Sequence, residues 1–229
     1  MATPPDISTP IRLVHARIQA ACAAAARPPG SVQLLCVSKT QPPQAVRAAA
    51  SAGETQFGEN YVQEALAKIE ALADLRPQLT WHLIGPLQSN KTRPVAEGFD
   101  WVHSVDRLKV AQRLSEQRPA DRPPLNICLQ VNISAEASKS GLLPAEVAAL
   151  AHQVAALPRL TLRGLMAVPE PGPGALAQHQ AMAALFAALK AEGLALDTLS
   201  LGMSADLEDA VRAGSTMVRV GSAIFGARA

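Results

Sequence analysis

The sequence predicts an α/β chain folded as a closed (β/α)8 TIM barrel with an additional N-terminal helix. Two observations carry this. Eight short apolar runs recur along the 229 residues, and Ala-rich stretches with helical periodicity separate them. The length agrees, because a single barrel of this class often runs to about this size.

The predicted strands are residues 33–38, 56–59, 81–85, 101–105, 126–133, 162–168, 198–203 and 217–224. Several are almost continuously apolar, as strands buried on both faces are. The extra helix covers 11–26, ahead of the first strand. Those between strands cover 43–52, 61–72, 89–97, 107–117, 144–156, 175–192 and 205–213. Alanine has the highest helix propensity, and interspersed charges supply a solvated face. Gly53, Gly98, Gly193 and Gly214 each follow a helix, where a left-handed C-cap favours glycine. Asp106 and Ser204 precede helices as N-caps, and Pro144 opens its helix where a missing N–H is harmless. The turn-rich stretch Pro169-Glu170-Pro171-Gly172-Pro173-Gly174 lies between a strand and a helix, so it reads as a loop and 1–229 as one domain. A doubly wound open sheet is the other arrangement of such elements, but no G-x-G-x-x-G follows the first strand.

Composition excludes several functions. At 48% hydrophobic the chain can bury a sizeable core, so wholesale disorder is ruled out. A net charge of +2 and seven aromatic side chains (four Phe, two Trp, one Tyr) give neither an electrostatic footprint nor stacking platforms for nucleic acid. No apolar stretch approaches the roughly 18 residues of a membrane span, and residues 1–10 do not read as a signal peptide. Cys22, Cys36 and Cys128 are scattered, which fits reduced thiols in the cytoplasm. The five histidines show no metal-ligand spacing, and His82 and His103, which follow tryptophans in strands, read as core or shell residues rather than ligands. Lys91 and Lys139 read as solvated loop residues.

A barrel places its functional groups at the C-terminal strand ends. Those ends are Lys39, Asn60, Gly85, Asp106, Asn132, Met166, Ser204 and Gly221-Ser222. Alternation puts Lys39 on the same side as Leu35 and Val37. If that side is the interior, burial disfavours the ammonium and exposes an amine able to form an imine. A snorkelling lysine, or one paired with Glu59, is the structural alternative. Ser204, Gly221 and Ser222 offer hydroxyls and free N–H groups for a dianion. Asp206 and Glu208 would compete for the helix dipole unless they point to solvent. Arg219 lies mid-strand, where a guanidinium needs a partner. Either it shares a mouth with Lys39, because the last strand of a closed barrel pairs with the first, or it pairs with Glu59 or Asp106.

Several motifs resemble the pyridoxal phosphate homeostasis proteins, the YggS/PROSC family. They are Val37-Ser38-Lys39-Thr40, Phe57-Gly58-Glu59-Asn60-Tyr61-Val62-Gln63-Glu64, Trp81-His82-Leu83-Ile84-Gly85-Pro86, Ser138-Lys139-Ser140-Gly141, Arg163-Gly164-Leu165-Met166, Leu201-Gly202-Met203-Ser204 and Val218-Arg219-Val220-Gly221-Ser222. The resemblance implies a barrel like the N-terminal domain of alanine racemase. In it Lys39 holds pyridoxal 5′-phosphate as a Schiff base, Ser204, Gly221 and Ser222 cradle the phosphate, Asn60 lies beside the cofactor, and Arg219 lies near the pyridine nitrogen. Ser222 stands where the family often has Thr. Lys139 matches a family lysine sometimes given a secondary cofactor contact.

The resemblance also implies a cytoplasmic carrier that buffers pyridoxal 5′-phosphate or other B6 vitamers and releases them to apo-enzymes, without turnover. Racemisation needs a second base opposite the lysine. Alanine racemase supplies a tyrosine with a second domain, whereas here Tyr61 is the only tyrosine. The same missing domain removes much of the racemase dimer interface, so a monomer is expected. A small pyridoxal-phosphate enzyme using Tyr61 or a cysteine, and a phosphosugar-binding barrel without a covalent cofactor, are the competing readings.

Overall fold

Strand and helix alternate from end to end in the computed structural model, which describes residues 7–136, 139–170 and 172–226. Thus 1–6 of the N-terminal segment, Ser138 of one family motif and Pro171 of the turn-rich loop lie outside the described residues. The order is α1 (Ser8–Ala24), β1 (Gln33–Val37), α2 (Pro43–Ser51), β2 (Gln56–Glu59), α3 (Val62–Ala71), β3 (Thr80–Leu83), α4 (Thr92–Gly98), β4 (Trp101–Val105) and α5 (Leu108–Gln117). It continues with β5 (Leu125–Gln130), α6 (Val147–Ala155), β6 (Leu160–Met166), α7 (Ala175–Ala191), β7 (Thr198–Ser200), α8 (Leu207–Ala213), β8 (Met217–Val220) and the short α9 (Ser222–Phe225). The strands pair in sequence order into a closed parallel barrel. Closure is made by β1 and β8, which set Leu35 beside Arg219 and Cys36 beside Val220.

The longer helices bury apolar stripes against the strands and against one another. In α1 the buried residues Ile11, Val14, Ile18, Ala21 and Cys22 recur at three- and four-residue steps, and the helix packs on α8 and α9. Arg27, just beyond α1, donates to Val211 O at 2.8 Å and Ser215 O at 2.6 Å, tying it to the end of α8. Residues 89–97 and 144–156 each begin with a 3-10 turn, Ser89–Lys91 and Pro144–Glu146, before the α-helix takes over.

Six predicted strands run past their observed C-terminal ends. The chain leaves the ladder at the barrel mouth: Ser38 enters a turn, and Gly221 already caps α9. Two predicted N-caps move. Arg107 precedes α5 while Asp106 pairs with its guanidinium at 2.7 Å, and Asp206, rather than Ser204, precedes α8. Gly53, Gly193 and Gly214 have positive φ beyond their helices, whereas Gly98 is the last residue of α4 and Phe99 ends it in extended conformation.

Candidate functional site

A cavity of about 440 Å³ opens at the C-terminal ends of the strands. Lys39, Asn60, Ser204, Arg219, Gly221 and Ser222 all lie on its wall, together with apolar Val37, Ile84, Val168, Met203 and Phe225. Its volume suits a small-molecule ligand. The remaining strand ends, Gly85, Asp106, Asn132 and Met166, are not on that wall. Asn132 organises its own loop by donating to Glu136 O at 2.7 Å, and Met166 is buried against Trp101 and Cys128.

Two close backbone approaches shape the cavity. A Cβ on Gly221 would stand 2.9 Å from Val37 O, so only glycine lets β8 turn this tightly beside β1. A Cβ on Gly85 would stand 2.2 Å from Asn60 O, so Gly85 lets the β2–α3 connection lie across β3 and sets Asn60 in the wall. Asn60 Oδ1 is buried and meets no hydrogen-bond partner among the described residues.

Lys39 is half-buried and follows β1 on the side of Leu35 and Val37, as alternation requires. Glu59 is not its partner. That carboxylate, fully buried, takes Lys68 Nζ at 2.8 and 3.0 Å and the Ser38 hydroxyl at 2.6 Å. Burial pushes the Glu59 carboxyl up, while Lys68 and Ser38 pull it down.

Arg219 pairs with neither Glu59 nor Asp106. Its Nη1 donates to Ser200 O at 2.6 Å and Ser200 Oγ at 2.9 Å, and its Nη2 donates to Ala167 O at 2.8 Å. Burial lowers its pKa to about 10, with Asp206 acting in the opposite sense, so it stays protonated at neutral pH. A buried cation held by neutral oxygens keeps most of its charge for an anionic or electron-rich ligand.

Behind it a hydrogen-bonded chain crosses the barrel interior. Gln56 Oε1 accepts from His82 Nε2 at 2.8 Å. His82 Nδ1 must then accept from His103 Nε2 at 2.9 Å, and His103 Nδ1 from the Ser200 hydroxyl at 3.1 Å. Burial keeps both rings neutral, and each bond then has one direction once the Gln56 oxygen starts the chain. Burial pushes His103 down to about 3 and His82 well below the ordinary histidine value.

The two acids that follow Ser204 are committed elsewhere. Glu208 pairs with Arg17 at 2.9 Å. Asp206 does not point to solvent: it accepts from His179 Nε2 at 3.0 Å and Met203 N–H at 2.7 Å. Burial works to raise its carboxyl, but these bonds hold it below the ordinary range. Arg17 also donates to Ser204 O at 3.1 Å, so α1 helps fix this loop.

Lys139 is not on the cavity wall and pairs with Glu136 at 2.8 Å. Among the described residues the cavity's ionisable groups are Lys39 and Arg219. Tyr61 is 56% exposed and off the wall, and the three cysteines are buried. No cluster of metal-ligating side chains and no helix long and apolar enough to cross a membrane occurs among the described residues.

Sequence reasoning missed Ser200, Ala167 O and the Glu59–Lys68 pair. Lys68 did leave a signal, since it continues the buried stripe of Val62 and Ala65 at three-residue spacing.

The family model of the alanine racemase N-terminal domain matches residues 14–229. A protein of Pseudomonas aeruginosa named pyridoxal phosphate homeostasis protein is 62% identical over 222 residues, 97% of this chain and 96% of that one. Its namesake in Escherichia coli K12 is 54% identical over 227 residues, 97% of each. Among solved structures, PipY of Synechococcus elongatus PCC7942 with PLP bound superposes with a TM-score of 0.78 at 41% identity, covering 91% of this chain and all of that one.

Proposed function

This chain belongs to the alanine racemase N-terminal domain family and, within it, to the pyridoxal phosphate homeostasis proteins, and on that premise we propose that it is a carrier of pyridoxal 5′-phosphate. The observation that carries the reading is the convergence of Lys39, Arg219 and the 204 and 221–222 loops on one cavity.

The residues fit that cofactor. Asn60 brings a buried oxygen without a partner, and the backbone at Gly221 forms a recess that a Cβ would fill. When bound, the cofactor supplies an aldehyde that condenses reversibly with a primary amine to a Schiff base, and a phosphate dianion. Lys39 supplies the amine. Ser204, Gly221 and Ser222 supply hydroxyl and backbone donors for the phosphate, beside a loop whose acids are already paired. Asn60 orients the ring. Arg219 can donate to a ring nitrogen but keeps its own proton, the weaker way to draw electrons from a substrate carbanion.

The cavity composition favours carriage over racemisation. A second base opposite Lys39 is needed for two-sided proton transfer, and neither Tyr61 nor a cysteine reaches the wall. Burial also pushes the Cys36 and Cys128 thiols up, away from the thiolate form. The carrier lowers the free aldehyde concentration by mass action and returns cofactor to apo-enzymes of the cytoplasm, acting as one monomeric domain. Sedimentation equilibrium giving a dimer would contradict the monomer.

The test is an absorbance titration of the parent and Lys39→Ala. The parent should develop a yellow imine band, and the variant should lose it while keeping its circular dichroism. A half-buried side chain at a mouth contributes little packing, so Tm should move by no more than about 4 °C. A variant that keeps the band, or a parent that racemises amino acids at enzymatic rates, contradicts the proposal.

A further inference from the structure

We propose that Glu59, Lys68 and Glu64 form an ionic clamp that holds the turn carrying Lys39, with Glu64 acting as a positioning residue for that lysine. The inference rests on Lys39 being the amine that takes the aldehyde, and it says how the chain aims it.

Ser38, Lys39, Thr40 and Gln41 make a β-turn closed by Gln41 N–H to Ser38 O at 3.0 Å. Thr40 sits in it at φ +64°, a left-handed conformation that β-branched residues rarely adopt. Such a turn persists only where its surroundings over-determine it. The clamp grips the backbone on both sides of Lys39. Lys68 Nζ donates to Ser38 O at 2.7 Å, and the Ser38 hydroxyl donates to Glu59 Oε1 at 2.6 Å. On the other side Thr40 N–H donates to Glu64 Oε1 at 2.6 Å, the same oxygen that accepts Lys68 Nζ at 2.6 Å.

A buried ion pair rarely adds much net stability, so its retention calls for another role. Here Glu59 is 0% and Lys68 3% exposed, and Lys68 reaches four oxygens, which fixes it as a charged donor and excludes it as a nucleophile. The contacts to Ser38 and Thr40 tie this charge cluster to the two residues adjoining the reactive one. Glu64 is the accessible member, with its side chain 30% exposed, so it can be altered without leaving a charge stranded in the core.

The experiment compares the parent with Glu64→Ala, Glu64→Gln and the Thr40→Gly/Glu64→Ala pair, all full length and at a temperature where circular dichroism shows native fold. Capture of pyridoxal 5′-phosphate is trapped by borohydride and followed at Lys39 by mass spectrometry. A second arm follows acylation of Lys39 by a small amine-reactive ester, which needs no cofactor site. Glu64→Ala should slow both reactions at Lys39 by about tenfold or more, since small misplacements of a reacting group are costly. Glu64→Gln should stay within about threefold, because its amide oxygen still accepts the Thr40 N–H. Thr40→Gly should return the alanine variant to within about threefold of the parent, because glycine holds this turn unaided. Should Glu64→Ala not fold, Glu64→Asp, whose carboxylate is one methylene too short, takes its place with the same ranking.

An alanine variant as fast as the parent overturns the clamp. So does a glutamine variant as slow as alanine, which would mark a charge effect without positioning. A parent that traps no cofactor at Lys39 contradicts the carrier function, and the acylation ranking then decides the clamp alone.

Discussion

At the scale of single residues, the candidate site combines one amine, one guanidinium and a set of neutral donors, and a hydrogen-bonded pair of buried histidines lies behind Arg219. His82 and His103 are neutral in the fold, and His103 is driven down to about 3 by burial, with Arg219 adding to the effect. In the unfolded chain both return to about 6.5. The unfolded state therefore takes up protons first as pH falls, so the stability these neutral rings contribute is present above pH 6.5 and is lost as pH falls below it, for His103 down to about 3. Each tenfold difference in proton affinity between the two states is worth about 1.4 kcal/mol. Urea midpoints should fall between pH 7 and pH 5, before the carboxylates titrate, and the fall should be much smaller in His82→Gln/His103→Gln. A parent midpoint constant across that window would contradict the assignment. That Lys39, Arg219, Asn60 and the small residues of the last loops meet on one wall was legible, because strand-end position, alternation and the pairing of the last strand with the first need only a register. Ser200 was not, because a serine in an apolar run looks the same whether or not an arginine leans on it.

At the scale of elements, close approaches of backbone decide where the wall residues stand. Gly85 is the plainest case, since its added Cβ would overlap the Asn60 carbonyl. Gly85→Ala must push the β2–α3 connection away, so Asn60 leaves the wall. Cofactor affinity should fall about tenfold or more, and stability by about 1–3 kcal/mol, the usual cost of overpacking. Titration and urea unfolding read the two effects, and an alanine variant with parental affinity would remove Asn60 from the site. Element order and type were readable from the sequence, because apolar runs and Ala-rich periodicity have different repeats. Their C-terminal limits were not. Runs such as 162–168 and 198–203 remain apolar after the ladder ends, since the mouth itself is lined by Val168 and Met203. The shift from Ser204 to Asp206 before α8 has the same origin: both are good N-cap types, and contacts with His179 and Met203 decide between them.

For the whole molecule, closure of β1 on β8 is what brings Lys39 and Arg219 to one cavity, through the register of Leu35 with Arg219. The additional helix α1 was predicted as an element, but its part in the site was hidden, because Arg17 reaches Ser204 O and Glu208 from nearly two hundred residues away in sequence. Sequence spacing carries no trace of such a contact. The barrel thus presents the wall that we propose holds an aldehyde-bearing phosphate, and among the described residues no second base lines it. The most direct measurement is a crystal structure of the full chain grown with pyridoxal 5′-phosphate. The account predicts continuous density from Lys39 Nζ to the cofactor, with its phosphate within hydrogen-bond reach of Ser204, Gly221 and Ser222. Density for the cofactor at another lysine, or a Lys39 turned away from a filled cavity, would contradict it.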